Sequence, residues 1–231
     1  MAHPAEAPRK VFIVGCPRSG TTWLQLLLSK HPQVATAPET QIVAFYLVHF
    51  LKQWEHEHNG PTAKHQGRAG LSRVLSEDEF HGLCRDVILC VLEKIAAQTP
   101  GATHVVEKSP GHAVHAQWIH RLLPDARFLH VVRDPRDTVA SLLAASRTWG
   151  GDWAPHNPID AARLWRRHVS EARGIARDSP QAYREVRYES LRAQPVDELA
   201  SVACWLGLAW PRADCEAAVA ACELDKLNKQ K

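Results

Sequence analysis

Short apolar runs, each stopped by glycine, proline or charge, alternate along this chain with longer stretches whose apolar positions recur at helical spacing. Residues 11–14 (VFIV) read as a short buried strand, and 21–30 as a helix that stops near His31-Pro32. "QVATAPE" is a brief extended piece. Residues 41–54 are apolar almost throughout and read as a buried helix. Ser76-x-x-Glu79 is a capping-box signature, opening a helix that reaches about Gln98. "THVVEK" is a strand ending at Lys108, 113–123 a helix stopped by Pro124, and "ARFLHVVR" a strand ending at Arg133. Pro135 suits the first turn of a helix to about Arg147. Asp160 is read as the cap of a helix to about Asp178, "YREVRY" as a strand ending near Tyr188, 195–206 as a helix closed by Gly207, and 212–222 as another. Strands alternating with helices predict an α/β fold with a parallel sheet covered by helices. No repeat, low-complexity run or linker composition divides the chain, so residues 1–231 read as one domain, with 1–9 a flexible N-terminus.

Composition narrows the partners. Hydrophobic residues at 45% and charged residues at 23% are ordinary for a globular chain, which sets aside disordered and membrane classes. A net charge of +3 is too mild to argue for nucleic acid or a membrane surface, but it suits a small anionic ligand. The longest apolar stretch, 42–51, is too short for a membrane span and contains His49. The N-terminus lacks the charged start and apolar core of a signal peptide. Six cysteines without a C-x-x-C pair read as free thiols in a reducing compartment. The expectation is a cytoplasmic protein.

The chemistry gathers where strands end, which is where open α/β sheets bind ligands. In "VFIVGCPRSGTTW", Gly15 and Gly20 have the G-x-x-x-x-G spacing of a phosphate-binding loop, and Thr22 stands where that motif has Ser or Thr. Thr21 stands where a triphosphate-binding loop has lysine. Two glycines permit a tight turn whose amides face an anion, and the following helix adds its positive end. Ser19, Thr21 and Thr22 offer hydroxyls, and Arg18 a forked cation. Lys108 and Ser109, Arg133 and Arg136, and Tyr188 follow the other strands. A triphosphate enzyme would also need a metal-holding acid at a strand end, and Asp134 beside Arg133 matches that poorly.

These segments resemble a known family. "CPRSGTTWLQ" resembles the 5′-phosphosulfate loop of sulfotransferases, and "FLHVVRDPRDTVASLL" their 3′-phosphate-binding segment. "EKSPGHAVHAQWIHRLLPDARF" and "VRYESLRAQPVDELASVACWLGLAW" are similar to the segments between and after these. The four occur in the family's order and cover roughly residues 11–210. The likeness is to the "PRSGTT" sulfotransferases, many of them bacterial, and more distantly to the tyrosylprotein sulfotransferases.

The resemblance implies a P-loop-type three-layer sandwich, with a central parallel sheet flanked by helices. It implies 3′-phosphoadenosine-5′-phosphosulfate (PAPS) as co-substrate and no required metal. Arg18, Ser19, Gly20, Thr21, Thr22 and Trp23 match the loop around the 5′-phosphosulfate. Arg133 and Ser141 match the pair that binds the 3′-phosphate, and Tyr188 a tyrosine near the adenosine. Arg18 is the first choice for the cation on the leaving phosphate, with Lys108 second. For the base, Glu39 in "APET" matches the glutamate of the tyrosylprotein branch, while His112 and His115 after Lys108 stay open as alternatives. Sulfuryl transfer to a hydroxyl or amine of a small-molecule or glycan acceptor is the expected reaction. A kinase-like phosphotransferase and a non-catalytic nucleotide-binding protein are the alternatives.

The family's C-terminal basic, glycine-rich segment has no match here, and Lys226, Lys229 and Lys231 read either as a partial substitute or as a solvated tail. Residues 55–70 and 149–158 have the composition of lids, with Trp149 and Trp153 able to line an acceptor. His49, His56, His58 and His65 fit no defined metal spacing.

Overall fold

In the computed structural model, which describes residues 7–59 and 70–222, five strands form one parallel sheet. They are β1 (Arg9–Gly15), β2 (Val34–Thr36), β3 (His104–Lys108), β4 (Arg127–Val132) and β5 (Tyr183–Arg187), in the order β2-β3-β1-β4-β5. Register pairs Val11 with Val106 and Arg127, so β1 is the central strand and the ends of β3 and β4 flank its C-terminus.

Successive side chains on a strand point to opposite faces. Phe12 and Val14 enter one core with Phe80, Ile88, Ile119, Phe128 and Ile175, where the Phe12 and Phe128 rings stack at 5.8 Å. Val11 and Ile13 enter the other with Leu24, Leu27, Leu129, Leu199 and Leu206. The first face is covered by α2 (Val48–Asn59), α3 (Glu77–Ala96), α4 (Ala116–Leu122) and α6 (Pro158–Asp178). The second is covered by α1 (Thr21–Leu28), α7 (Tyr188–Ala193), α8 (Pro195–Leu206) and α9 (Arg212–Ala221). The remaining helix, α5 (Pro135–Ser146), packs Leu142 against Cys16 and Ala161. The result is the three-layer sandwich with a central parallel sheet.

Local signals hold at several ends. Ser76 and Glu79 form the capping box that opens α3, Pro135 begins α5, and Gly207 closes α8 at φ 80°. Two expectations change. The segment after Glu39 is not one buried helix. It is a π-helical turn, Ile42–Leu47, running into α2, and it leaves Phe45, Tyr46 and Phe50 exposed. Ile42, Val43, Leu47, Val48, Leu51 and Trp54 form its buried stripe, because a helix on a sheet covers one side only. The cap of α6 is Asn157, whose side chain accepts from the Asp160 amide, with Pro158 at the first turn.

The N-terminal ends of the strands hold the end of α8. Arg9 Nη1 and His104 Nε2 meet the Leu206 carbonyl at 3.2 and 3.1 Å, and Arg127 donates to the Trp205 carbonyl. The last carbonyls of a helix lack partners within it and favour positive charge. Basic residues at that edge are therefore structural, which leaves the opposite edge for ligand chemistry.

Candidate active site

The loop between β1 and α1 is shaped by close approaches. A Cβ on Gly15 would stand 2.5 Å from the Val131 carbonyl of β4, and one on Gly20 (φ 94°) would enter the Tyr188 ring. Arg18 itself is left-handed at φ 74°, a conformation that costs about 1–2 kcal/mol for a residue with a side chain. No side chain caps α1, so its first amides are available to a ligand. The Ser19 hydroxyl is buried and has no hydrogen-bond partner among the described residues. Thr21 is buried, and Thr22 is exposed with Oγ1 accepting from Lys108 Nζ at 3.2 Å. The cation that a triphosphate loop carries at position 21 thus reaches this loop from the end of β3.

A second cluster forms at the end of β4. Arg133 donates from Nη1 to the Arg18 carbonyl at 3.3 Å, and its guanidinium lies 4.7 Å from the centre of the Tyr188 ring. Its Nε is buried with no partner among the described residues. The Trp165 indole donates to the Arg133 carbonyl at 3.0 Å and steadies the turn into α5. Arg18 Nε donates to Ser141 Oγ at 3.1 Å, and its guanidinium lies 5.2 Å from the Trp149 ring centre. Burial, then the neighbouring Arg133 charge, lowers the Arg18 pKa from its ordinary value. Two close guanidiniums beside orphaned donors make a site that an anion completes.

Trp23 is buried on α1. Its Nε1 donates to the Cys222 carbonyl at 3.0 Å, and its ring meets Tyr188 edge-on at 6.2 Å. Asp134 caps α5 by accepting from the Arg136 amide, and the Arg136 guanidinium grips both its oxygens. Those bonds hold its pKa down at about 2. An acid so engaged fits the structural role of a cap rather than that of a metal ligand.

Beside the loop, Lys108 pairs with Glu39. Lys108 is almost wholly buried, whereas Glu39 faces outward and accepts from Gln41 Nε2 at 2.8 Å. Behind this pair lies buried Glu107. Its Oε1 accepts from the Thr40 amide, the Thr40 hydroxyl and the Ser109 hydroxyl at 3.2, 2.8 and 2.6 Å. Its Oε2 is 2.9 Å from His112 Nδ1. Burial works against the Glu107 carboxylate, but His112, Ser109 and Thr40 outweigh it and the pKa stays below the ordinary value. His112 Nε2 accepts from the Val43 amide at 3.1 Å, and its Nδ1 faces Glu107 Oε2. His115 is half-buried, and burial, followed by the neighbouring basic groups His112, Lys52, Arg167 and His168, pushes its pKa down to about 4.

The structure therefore brings together Arg18, Arg133, Ser141, Tyr188 and Trp23 on one side of the loop and Thr22, Lys108 and Glu39 on the other, with Ser19, Gly20 and Thr21 in the loop itself. Trp149 and Trp153, 5.4 Å apart, stand on the Arg18 side. Residues 60–69 and Lys226, Lys229 and Lys231 lie outside the described residues. Sequence reasoning missed Trp165, and it missed the bond from Glu107 to Thr40. The acids and hydroxyls at 107–109 were the available signal for the second. Among the described residues no cluster of His, Cys, Asp and Glu is placed to hold a metal, and no helix is long and apolar enough to cross a membrane.

Comparison with known proteins identifies the family and the fold. The sequence model described as "Sulfotransferase family" matches residues 8–212. Protein-tyrosine sulfotransferase 2 of Gallus gallus is 27% identical over 204 residues, which cover 87% of this chain and 51% of that protein. Protein-tyrosine sulfotransferase 1 of Homo sapiens is 32% identical over 142 residues, 61% of this chain and 35% of that protein. The chain spans about half the length of the Gallus gallus relative. Among solved structures, the sulfotransferase domain from the Synechococcus PCC 7002 olefin synthase superposes with a TM-score of 0.62 at 19% identity, covering 91% of this chain and 78% of that one. Mouse sulfotransferase SULT7A1, complexed with PAP, gives 0.60 at 13%, covering 94% and 64%. At such identities these structures share the fold, a P-loop-type sandwich.

Proposed function

The chain belongs to the sulfotransferase family, and from that premise we propose that it transfers a sulfuryl group from PAPS to a hydroxyl or amine of an acceptor, releasing 3′-phosphoadenosine-5′-phosphate (PAP). The observation that carries this reading is a pair of buried donors without partners, Ser19 Oγ in the loop and Arg133 Nε at the end of β4. They belong to separate anion-binding features. A donor with a 5′-phosphosulfate and a distinct 3′-phosphate answers both, whereas a triphosphate answers one.

In this reading the loop amides, Ser19, Thr21 and Thr22 hold the 5′-phosphosulfate, while Arg133, Ser141 and Arg18 hold the 3′-phosphate. Trp23 and Tyr188 shape the wall beside the adenosine. Glu39 takes the acceptor's proton as its oxygen or nitrogen bonds to sulfur and the bond from sulfur to the bridging phosphate oxygen breaks. Lys108 touches both the Thr22 hydroxyl and Glu39. That position favours Lys108 over Arg18 as the cation that stabilises charge on the departing oxygen. Arg18, bonded to Ser141, favours donor binding. No step needs a metal.

The five described strands share one sheet, which supports reading the chain as one domain. The six cysteines are free, which supports a cytoplasmic location.

The test is transfer from sulfur-35-labelled PAPS to a panel of phenols, alcohols, amines, glycans and lipids. The expected result is labelled product from at least one class and thermal stabilisation by PAP. Stabilisation by ATP with magnesium and not by PAP would instead indicate a phosphotransferase. Tight PAP binding with no transfer to any acceptor would indicate a non-catalytic binder.

A further inference from the structure

Two neighbouring cross-links join the segment after β2 to the end of β3. Glu39 meets Lys108 at the site, and the next residue on each side, Thr40 and Glu107, meet in the interior. Alternation along β3 sends Glu107 and Lys108 to opposite faces, so the buried link sits directly behind the exposed one. Upstream of Glu39 the segment is held by Gln25 Nε2, which donates to Thr36 Oγ1 at 2.8 Å and to the Ala37 carbonyl at 2.7 Å. The π-helical turn that follows has no side-chain cap, and Gln41 at its start is left-handed at φ 53°. The Ile42 amide donates to Thr40 Oγ1 at 3.3 Å, and the amides on either side of it are satisfied from the β3 end. Gln41 N donates to Ser109 Oγ at 3.0 Å, and Val43 N donates to His112 Nε2 at 3.1 Å. An Nε2 that accepts carries no proton, so the ring's proton is on Nδ1, facing Glu107 Oε2. Ser109 accepts from Gln41 and donates its own proton to Glu107. One buried carboxylate thus orders three donors and a histidine tautomer.

We propose that Glu107, with His112 behind it, is a positioning residue that holds Glu39 against Lys108. It touches no substrate. It acts by pinning Thr40 and the start of the π-helical turn, and so sets where the Glu39 carboxylate points. The inference rests on the reading of Glu39 as the base, but its geometric content is separable. Glu107→Gln would keep an acceptor for Thr40, yet its amide would face His112 Nδ1–H and turn the ring's proton toward the Val43 amide. Thr40→Val removes the hydroxyl that donates to Glu107 and accepts from the Ile42 amide, while Thr40→Ser keeps both bonds.

The experiment measures the acetylation rate of Lys108 by acetic anhydride and mass spectrometry in the full chain. PAP affinity by calorimetry serves as the check on folding. Glu39→Gln is expected to raise Lys108 reactivity severalfold by loosening the pair. Thr40→Val and Glu107→Gln are expected to raise it in the same direction, Thr40→Ser to leave it at the wild-type rate, and Glu107→Gln to add nothing in the Glu39→Gln background. Turnover at saturating PAPS should fall about 10- to 100-fold in Thr40→Val with PAP affinity unchanged, the scale of a misplaced reacting group. Wild-type Lys108 reactivity in Thr40→Val, or additive effects in the double variant, would overturn the proposal. Thr40→Val decides the matter even where Glu107→Gln fails to fold. Normal turnover in Glu39→Gln would sink the base assignment alone, and Lys108 reactivity would still decide whether Glu107 positions Glu39.

Discussion

Arg18 and Ser141, far apart in sequence, are joined by a hydrogen bond of 3.1 Å from Nε to Oγ. The loop after β1 and the helix after β4 are thereby one binding surface. Arg133 completes it by donating to the Arg18 carbonyl while its guanidinium lies on Tyr188.

Arg133→Ala should weaken PAP binding about 10- to 100-fold, the scale of a lost charge-assisted hydrogen bond. AMP, which lacks the 3′-phosphate, should lose much less. Calorimetry with both nucleotides checks this. An equal loss for PAP and AMP would remove Arg133 from 3′-phosphate recognition.

Lys108→Ala should slow single-turnover transfer far more than it weakens PAP binding, because its ammonium bridges the Thr22 hydroxyl and the Glu39 carboxylate rather than the Arg133 cluster. Arg18→Ala should do the reverse. If both variants lose binding and rate in the same proportion, the two sides of the loop are not functionally distinct.

What the sequence disclosed of this site was what adjacent residues carry. Gly15, Arg18 and Gly20 declared a phosphate loop, and the strand ends at Lys108 and Arg133 placed two more cations at the same edge. Missing was which cation faces which partner. That depends on strand order, which brings β3 and β4 to either side of β1, and sequence spacing does not encode it. The lysine absent at position 21 is answered by Lys108, which reaches Thr22 across 86 residues. The fold was legible where periodicity and caps agree, as at Ser76–Glu79 and Gly207. It was misleading at 41–54, where apolar content concealed a π-helical turn with exposed Phe45 and Tyr46. The Asn157 cap was missed because Asp160, three residues on, is also a common capping type.

Gly20→Ala should destabilise the protein by about 1–3 kcal/mol and weaken PAP binding as well. The added methyl would meet the Tyr188 ring, and the backbone there is at φ 94°, which a side chain strains. Urea denaturation and calorimetry on one preparation test both effects. Wild-type stability would show that Tyr188 yields freely and that the loop is not held by this contact.

Acid should destabilise the fold through His130, which is fully buried on β4 with Nδ1 2.7 Å from the Tyr183 hydroxyl and Nε2 unpartnered among the described residues. Burial, partly opposed by Glu185 and reinforced by Arg173 and His168, pushes its pKa down to about 4. The unfolded chain takes up this proton near pH ~6.5. Between the two values the unfolded state binds more protons than the folded one, so stability falls as pH falls and the loss is complete below about 4. The expected loss is on the order of 3 kcal/mol. Half-buried His115 adds a smaller share in the same direction. His130→Gln, which keeps a donor for Tyr183 and cannot titrate, should flatten the dependence of the urea midpoint on pH across that window. Parallel curves for the variant and the wild type would mean that the acid sensitivity lies elsewhere.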